Sequence, residues 1–304
     1  MKKGKAVIGL PAGRLLCSVL VLTGFMGFGP AGGLWAQEVR GDAPRVISLY
    51  AAHTENILRL GGRDLLVGIS AQETYDGPEA SGWVRPAVFS AHDDVEKYLA
   101  VRPTLIMMRP QHQAASPHLW AALEKNGVKV WSKQVQKASE IYGYWRELGQ
   151  LVGLSPAAAR LVEDFSRAVR PFQESQTKVR PGVFLEAVHK EIKTFTPDSI
   201  PMWVVELAGG CNVAAGVSGR GGLIVVDFGP EKLLAVGRKV DIYLSQEGPM
   251  NRVSLETVKQ RSIFREIPAF KNGRVYKVPE TLIARPTPAL LEGVKQIFDL
   301  INQP

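Results

Sequence analysis

Residues 45–62, RVISLYAAHTENILRLGG, contain the pattern that decides the fold. The segment 45–50 reads as a buried strand, and a short helix is predicted to follow from Thr54. Gly61 and Gly62 are expected to end this helix, because glycine readily adopts the left-handed conformation found at helix C-termini. A strand followed at once by a helix is the repeating unit of sheets that are covered by helices.

The same alternation of strand and helix continues to residue 131. The predicted segments, in chain order, are a strand at 65–70, a helical segment at 95–101, a strand at 104–108, a helix at 116–126 and a strand at 128–131. The stretch 71–94 is rich in glycine, proline, aspartate and aromatic residues, and it is interpreted as a long loop. This order favours a parallel sheet with helices on its faces.

A longer amphipathic helix is predicted next. After Ser155 and Pro156, apolar residues recur at spacings of three and four to about residue 176. At about 1.5 Å per residue, such a helix spans about 30 Å, which is long enough to connect two lobes.

Past Pro181 the first pattern restarts. The segment 182–188 reads as a second opening strand, and EKLLAV at 231–236 repeats EKYLAV at 96–101. We therefore predict an α/β fold: two similar lobes with parallel-sheet cores, joined by one long bridging helix, with a ligand cleft between the lobes. In such lobes, ligands bind at the carboxyl ends of the strands.

The first 36 residues have the layout of a secretory signal peptide. Four basic residues precede or flank an apolar stretch at about 15–28, and a small-residue patch ends at Ala36. The predicted segments are a signal peptide at 1–36, cleaved after Ala36, an N-terminal lobe at 44–154, a bridging helix at 155–178 and a C-terminal lobe at 179–304. A retained membrane anchor is the alternative, although the apolar run is shorter than the roughly 20 residues of a membrane span.

The remaining chain, 37–304, has 33 basic and 29 acidic residues. This small excess argues against nucleic acid as a partner. Cys211 is the only cysteine after residue 36, so an intrachain disulfide is excluded, and we expect it to be a small buried side chain. A periplasmic monomer is predicted.

Three segments resemble the class III periplasmic solute-binding proteins of ABC importers, which bind ferric siderophores, haem and cobalamin. RVISLYAAHTENILRLGG resembles the opening strand, loop and helix of that family. VEKYLAVRPTLIMM, at 95–108, resembles its glutamate-bearing helix and the strand that follows, with Arg-Pro-Thr in place of Lys-Pro-Asp. AFKNGRVYKV, at 269–278, resembles its late strand. The likeness extends over nearly all of 44–304.

The resemblance implies two docking glutamates, one on each lobe, that bind arginines of a dimeric membrane permease. The matching positions are Glu96 in VEKYLAV and Glu206 in VVELAGG. Paired guanidinium groups recognise two rigidly spaced carboxylates well. The internal repeat instead pairs Glu96 with Glu231, and we favour Glu206 because of its surrounding motif.

Candidate ligand-binding residues are those on the predicted loops after strands, together with flanking positions of the second lobe. They are Tyr50, His53, Trp83, Arg85, His92, Arg109, His112, His189, Trp203, Arg220, Asn251 and Arg285. Of these, Arg285 resembles a cleft arginine of the cobalamin-binding members. Arginines pair with carboxylates, phosphates or catecholates, and aromatic rings stack on flat or bulky ligands.

These residues favour a metal chelate, either a ferric siderophore or cobalamin, as the ligand, so an iron or cobalt complex enters as cargo and not as a cofactor of the protein. Haem, or a free transition-metal ion held by the cleft histidines, is the alternative. A periplasmic enzyme or a metal sensor with the same fold is an alternative of another class. The chain lacks the Gly-x-Ser-x-Gly and His-Glu-x-x-His motifs, so we predict that it is not an enzyme.

Overall fold

The computed structural model describes residues 43–72, 75, 77–175 and 180–303. Residues from Ala43 onward form one compact unit. The predicted signal peptide lies outside the described residues. Within them, none of the helices combines the length and the apolar character needed to cross a membrane.

The first lobe is built on a five-stranded parallel sheet. Its strands are β1 (Val46–Ser48), β2 (Leu66–Ser70), β3 (Ala87–Phe89), β4 (Leu105–Met108) and β5 (Lys129–Ser132). They are arranged in the order β3-β2-β1-β4-β5, with every neighbouring pair parallel. The opening strand β1 therefore lies at the centre of the sheet.

Helices cover both faces of this sheet. They are α1 (Ala51–Arg59), α2 (Val95–Ala100), α3 (Pro110–Ala115), α4 (Pro117–Lys125) and α5 (Ile141–Leu151). Successive residues of β1 point to opposite faces, so Val46 packs into one apolar cluster and Ile47 into another. Gly61, with φ of +82°, follows α1 in the left-handed conformation that the sequence predicted.

The long helix is present as α6 (Ser155–Glu174). Its buried stripe includes Val162, Phe165 and Val169, as the apolar spacing predicted. Phe165 lies 5.1 Å from the ring of Trp145 in the first lobe and 6.0 Å from the ring of Trp203 in the second. The helix therefore belongs to one apolar core that runs through both lobes.

The second lobe repeats the parallel arrangement. Its strands are β6 (Gly182–Glu186), β7 (Lys193–Phe195), β8 (Cys211–Asn212), β9 (Val225–Asp227), β10 (Ile242–Glu247) and β11 (Val275–Pro279). Four of them form a parallel sheet in the order β11-β10-β6-β8, which matches β5-β4-β1-β2 of the first lobe. The other two, β7 and β9, form a separate antiparallel pair.

The helices of the second lobe fill the corresponding positions. They are α7 (Ile200–Leu207), α8 (Gly229–Val236), α9 (Leu255–Lys259), α10 (Pro268–Lys271), α11 (Glu280–Ile283) and α12 (Leu290–Asn302). Helix α2 connects β3 to β4, and α8 connects β9 to β10. The predicted fold of two similar lobes with parallel-sheet cores and one bridging helix is confirmed.

The lobes are also joined by direct hydrogen bonds. Asn56 Nδ2 and Trp145 Nε1, both in the first lobe, donate to the carbonyl oxygen of Pro286 at 3.0 and 2.9 Å. The backbone N–H of Ile200 donates to the carbonyl of Gln136 at 2.9 Å. These contacts join the lobes at two places in addition to α6.

Two local predictions were wrong. The stretch 71–94 is not one loop, since it contains β3, an edge strand of three residues. Val88 in this strand is exposed, so its apolar run is too short to stand out from the surrounding turn residues. Cys211 is exposed and not buried, because it begins β8 at the edge of the second sheet.

Candidate functional site

The carboxyl ends of the two sheets approach each other. Tyr50 lies two residues after β1, and Glu280 follows directly after β11. The negative charge of Glu280 contributes to raising the pKa of the Tyr50 hydroxyl, and Arg285 acts in the opposite direction. Since residues of one lobe influence the ionisation of a residue in the other, these strand ends lie close enough for their charges to interact.

The wall formed by the first lobe is aromatic and includes the cation of Arg109. The guanidinium carbon of Arg109 lies 4.9 Å from the ring centre of Tyr50. Behind them, the ring of His53 is 5.0 Å from Tyr50 and 5.1 Å from Trp131, and Trp131 stacks parallel to Tyr144 at 6.2 Å. An arginine over an aromatic ring, backed by further rings, suits a bulky or flat ligand with an anionic group.

Burial keeps the titratable groups of this wall neutral. It is the largest influence on Tyr50 and raises the pKa to about 12, although Arg109 acts in the opposite direction. Burial also lowers the pKa of His53 to about 3. Both side chains are therefore uncharged near neutral pH, and Arg109 carries the positive charge of the wall.

Some buried polar atoms at the strand ends have no protein partner. They include the Nε of Arg109 after β4, the hydroxyl of Ser132 at the end of β5 and both amide atoms of Gln246 in β10. Buried polar atoms are normally hydrogen-bonded. Their occurrence in both lobes at the carboxyl ends of strands is what a site for a polar ligand requires.

The wall formed by the second lobe carries a charged network. Glu186, fully buried at the end of β6, accepts hydrogen bonds from Tyr243 at 2.5 Å and Ser245 at 2.8 Å and pairs with Arg261 at 2.6 Å. Arg261 also contacts Nδ1 of His189. Unlike Arg109, this arginine is already paired within its own lobe.

The structure brings together a subset of the predicted ligand-binding residues. Tyr50, Arg109 and Arg285 lie near one another across the two lobes, and His112 accepts a hydrogen bond from the backbone N–H of Arg109 at 3.4 Å. His53 lies beneath them and is fully buried, so it has no exposed surface for a ligand to contact.

Asn251 is also buried, and its amide is used within the second lobe. Its oxygen accepts from the backbone N–H of His189 at 2.7 Å, and its nitrogen donates to Ser245 and to the carbonyl of Gln246. It supports the loop after β6.

The other predicted residues lie elsewhere. Trp83 and Arg85 lie near the end of the connection between β2 and β3, whereas His92 follows β3 and is exposed. Trp203 packs against Phe165 of α6. Arg220 is exposed and lines a separate cavity of about 810 Å³ in the second lobe, between the 213–228 region and α8.

The two predicted docking glutamates differ in exposure. Glu96 is exposed in the first turn of α2, and Glu206 is half-buried near the end of α7. Glu231 is exposed in the first turn of α8, the helix that corresponds to α2 in the second lobe.

Sequence reasoning missed several residues of the site, and three of them show why. Glu280 follows β11 directly, so the rule that selected other residues after strands could have found it. Trp131 lies inside β5 and was assigned only to a strand. Arg261 follows α9, and nothing in the sequence links it to Glu186.

The profile of the periplasmic binding protein family matches residues 46–282. The chain belongs to this family. The vitamin B12-binding protein of Vibrio cholerae is 25% identical over 256 residues, which cover 84% of this chain and 88% of that protein. An uncharacterised ABC transporter substrate-binding lipoprotein of Bacillus subtilis is 25% identical over 269 residues, which cover 86% of this chain and 81% of that protein.

Solved structures of periplasmic binding proteins share the fold. A possible iron-binding protein of Staphylococcus epidermidis superposes with a TM-score of 0.72 and 27% identity, covering 85% of this chain and 98% of that one. The haem-binding protein HutB of Vibrio cholerae superposes with a TM-score of 0.73 and 16% identity, covering 86% of this chain and all of that one. The family predicted from the sequence motifs is thereby confirmed.

The described part of the chain contains no cluster of side chains suited to a free metal ion. Among the residues that the structure describes, no three histidine, cysteine, aspartate or glutamate side chains are grouped so that they could hold a metal ion. The histidines at strand ends belong to separate environments: His53 is buried in the first lobe, and His189 is held by Arg261 in the second.

Proposed function

We propose that this periplasmic binding protein captures a metal chelate between its lobes and delivers it to the permease of an ABC importer. Members of the family are substrate-binding components and not enzymes. Vitamin B12, haem and iron are named for its relatives. The ligand is therefore cargo.

The observation that carries this proposal is the pair of facing strand ends. Arg109 over Tyr50 on one side, with Glu280 and Arg285 on the other, brings aromatic and charged groups together where the two sheets end. A ferric siderophore or cobalamin combines a bulky or flat body with polar oxygen or amide groups at its edge. Such a ligand fits rings that stack and guanidinium groups that form hydrogen bonds.

Haem remains a second candidate because haem-binding proteins share the fold. A histidine or tyrosine that ligates the iron would favour it. Tyr50 is the aromatic hydroxyl beside Arg109, and Arg109 opposes the effect of burial on its pKa.

The direct test is visible absorption after desalting. The purified protein is incubated separately with cyanocobalamin, hemin and a ferric tricatecholate, and unbound ligand is removed. Retention of one colour at one-to-one stoichiometry is expected. An Arg109→Met variant should retain less of the same ligand, and the exposed control His118→Phe should retain as much as the wild type. If none of the three is retained, the chelate proposal fails.

Delivery to the permease requires a carboxylate on each lobe, and Glu96 is the first-lobe candidate. For the second lobe, the sequence motif favours Glu206, whereas the placement of α8 favours Glu231. Both Glu96 and Glu231 are exposed in the first turn of corresponding helices. We propose that Glu231 is the second-lobe carboxylate that docks onto the permease together with Glu96 of the first lobe. Glu206 is the alternative for the second lobe.

Alanine variants of the three glutamates separate these assignments. In cells that carry the importer, Glu96→Ala and Glu231→Ala should reduce cargo uptake at least severalfold, while the purified variants keep their affinity for cargo. Glu206→Ala should leave uptake unchanged. If uptake falls with Glu206→Ala and not with Glu231→Ala, then Glu206 is the docking residue of the second lobe, as the sequence motif predicts. Full uptake in all three variants would exclude these carboxylates from docking.

A further inference from the structure

His189 lies just beyond β6, at the edge of the second lobe that faces the first. Its backbone is fixed on both sides. The backbone N–H donates to Oδ1 of Asn251 at 2.7 Å, and the carbonyl oxygen accepts from Arg261 at 2.8 Å. Asn251 is itself held by Ser245 and Gln246. The position of the imidazole is therefore set before any ligand arrives.

The protonation of the ring is set by Arg261. A guanidinium group has only N–H donors, so its contact with Nδ1 of His189 requires a lone pair on Nδ1. The nearest carboxylate oxygen, Oε1 of Glu186, is 3.6 Å from Nδ1 and beyond hydrogen-bonding distance. In a neutral imidazole with a lone pair on Nδ1, the proton is on Nε2.

The ring is also kept neutral. Burial and the positive charge of Arg261 both lower the pKa of His189, and Glu186 acts more weakly in the opposite direction. Arg261 is in turn held in place by Glu186, whose oxygens are occupied by Tyr243 and Ser245 as well. The guanidinium therefore has a fixed position against Nδ1.

The exposed part of the side chain is the other edge of the ring. About a quarter of the His189 side chain, 24%, is accessible. Since Arg261 covers the Nδ1 edge, the accessible edge contains Nε2. The second lobe thus offers a hydrogen-bond donor to the space between the lobes.

We propose that His189 recognises the cargo as a fixed hydrogen-bond donor, with Nε2–H bound to an oxygen acceptor such as a carboxylate, phosphate or carbonyl, and that it does not coordinate the metal. This inference rests on the proposed function. Coordination through Nε2 would place the proton on Nδ1, opposite the N–H groups of Arg261. A histidine that ligates a metal instead donates its other N–H to a carboxylate, carbonyl or water. In His189 the roles are reversed: Nδ1 accepts a hydrogen bond from Arg261, and Nε2 carries the proton.

The first experiment reads the tautomer without any ligand. Long-range ¹H–¹⁵N correlation spectra of the ¹⁵N-labelled protein at neutral pH should show His189 with an unprotonated Nδ1 and a protonated Nε2. The double variant Glu186→Gln, Arg261→Met removes both charges of the pair together and should release the ring to a mixture of forms. A wild-type ring that is protonated on Nδ1 would overturn the proposal.

The second experiment compares two substitutions of the same residue. His189→Gln keeps a side-chain N–H donor, and His189→Phe removes it. With the coloured chelate that the wild type retains, His189→Phe should weaken binding about tenfold, the effect of one hydrogen bond, and His189→Gln should weaken it less. The visible band of the bound chelate should be the same in all three proteins. His118→Phe, on the exposed surface of α4, is the matched control.

Two outcomes contradict the donor role. Equal losses of affinity in both variants, together with a shifted band, would show that the imidazole is a metal ligand. Unchanged affinity in both variants would show that His189 does not contact the cargo.

Failure of the proposed function is distinguishable from failure of this inference. If the wild type retains none of the three chelates, the capture of chelates is rejected. The tautomer measurement does not depend on a chelate and remains valid. Titration with Co²⁺ alone then tests whether His189 coordinates a metal ion. Binding of Co²⁺ that His189→Phe abolishes would overturn the inference, and an absence of such binding would support it.

Discussion

The two walls of the cleft are built on the same sheet order but differ in their charges. In the first lobe, Arg109 lies over Tyr50 and its buried Nε has no protein partner. In the second lobe, Arg261 is paired with the fully buried Glu186 and positions His189. In the first wall, the guanidinium of Arg109 is therefore available to a ligand. In the second wall, the guanidinium of Arg261 is paired with Glu186 and holds the neutral ring of His189 in place. The same sheet order therefore carries two different arrangements of charge.

The largest effect is expected when the charged network around Glu186 in the second lobe is broken. Arg261→Ala leaves the carboxylate of Glu186 buried and unpaired, which costs about 3–5 kcal/mol in comparable cases. The free energy of unfolding, measured in urea, should fall by that amount.

The control for this variant is a charge pair on the surface. Arg167→Ala removes a partner of Glu163 on α6, where both side chains are more than half exposed, and should change stability by less than about 1 kcal/mol. Equal effects of Arg261→Ala and Arg167→Ala would contradict the difference between buried and exposed pairs.

The next effect concerns the buried histidine of the first lobe. The folded protein holds the pKa of His53 at about 3, against an ordinary value of 6.5, so the unfolded chain binds a proton more readily. The contribution of His53 is fully present above pH 6.5 and is lost as the pH falls toward 3. By pH 4 the loss should reach about 3 kcal/mol.

The check is chemical unfolding at a series of pH values. His53→Phe keeps an aromatic ring but cannot bind a proton, so its stability should depend less on pH between 6.5 and 4. His118→Phe, at an exposed position, should leave the wild-type slope intact. A His53→Phe protein with the same acid dependence as the wild type would assign that dependence to other groups.

A smaller effect is expected when Arg109, the cation of the first wall, is replaced. Arg109→Met keeps much of the side-chain length over Tyr50 but removes the charge and the donors. Affinity for the retained chelate should fall about tenfold or more, since hydrogen bonds to charged groups contribute about 1.5–3 kcal/mol. Equilibrium titration of the visible band provides the measurement.

Arg85→Met is the matched comparison for Arg109. Arg85 is exposed and precedes β3, so we expect its replacement to change affinity less than twofold, an effect smaller than about 0.5 kcal/mol. If Arg85→Met weakens binding as much as Arg109→Met, the cleft extends to the stretch before β3.

The smallest effect belongs to the antiparallel pair of strands in the second lobe. Lys193 of β7 pairs with Asp227 of β9 at 3.2 Å, but the aspartate side chain is 85% exposed. Asp227→Asn should lower stability by less than about 1 kcal/mol, because exposed ion pairs contribute little. Thermal unfolding of the variant beside the wild type is the measurement, and a loss as large as that of Arg261→Ala would contradict it.

The repeated frame could be predicted from the sequence because its signals are local. Apolar segments marked the central strands, and the spacing of Val162, Phe165 and Val169 marked the bridging helix. The edge strand β3 was not predicted, because three partly exposed residues form too short an apolar pattern to indicate a strand.

The site was less predictable than the frame. Tyr50 and Arg109 were selected because each follows a strand, and they lie close together because β1 and β4 are neighbours in the sheet. The ion pair of Glu186 and Arg261 joins residues far apart in the chain, and no local pattern reports such a contact. The same rule could not tell that His53, one turn into α1, is turned into the core.

The carbonyl of Pro286 has a mechanical consequence. It accepts hydrogen bonds from both Asn56 and Trp145, so one atom of the second lobe is bonded to two helices of the first. Together with α6, these bonds should limit the relative motion of the lobes, so we expect the radius of gyration in solution scattering to change little when cargo binds. Stored elastic strain would then contribute little to release, and the work of parting the lobes would come from the importer.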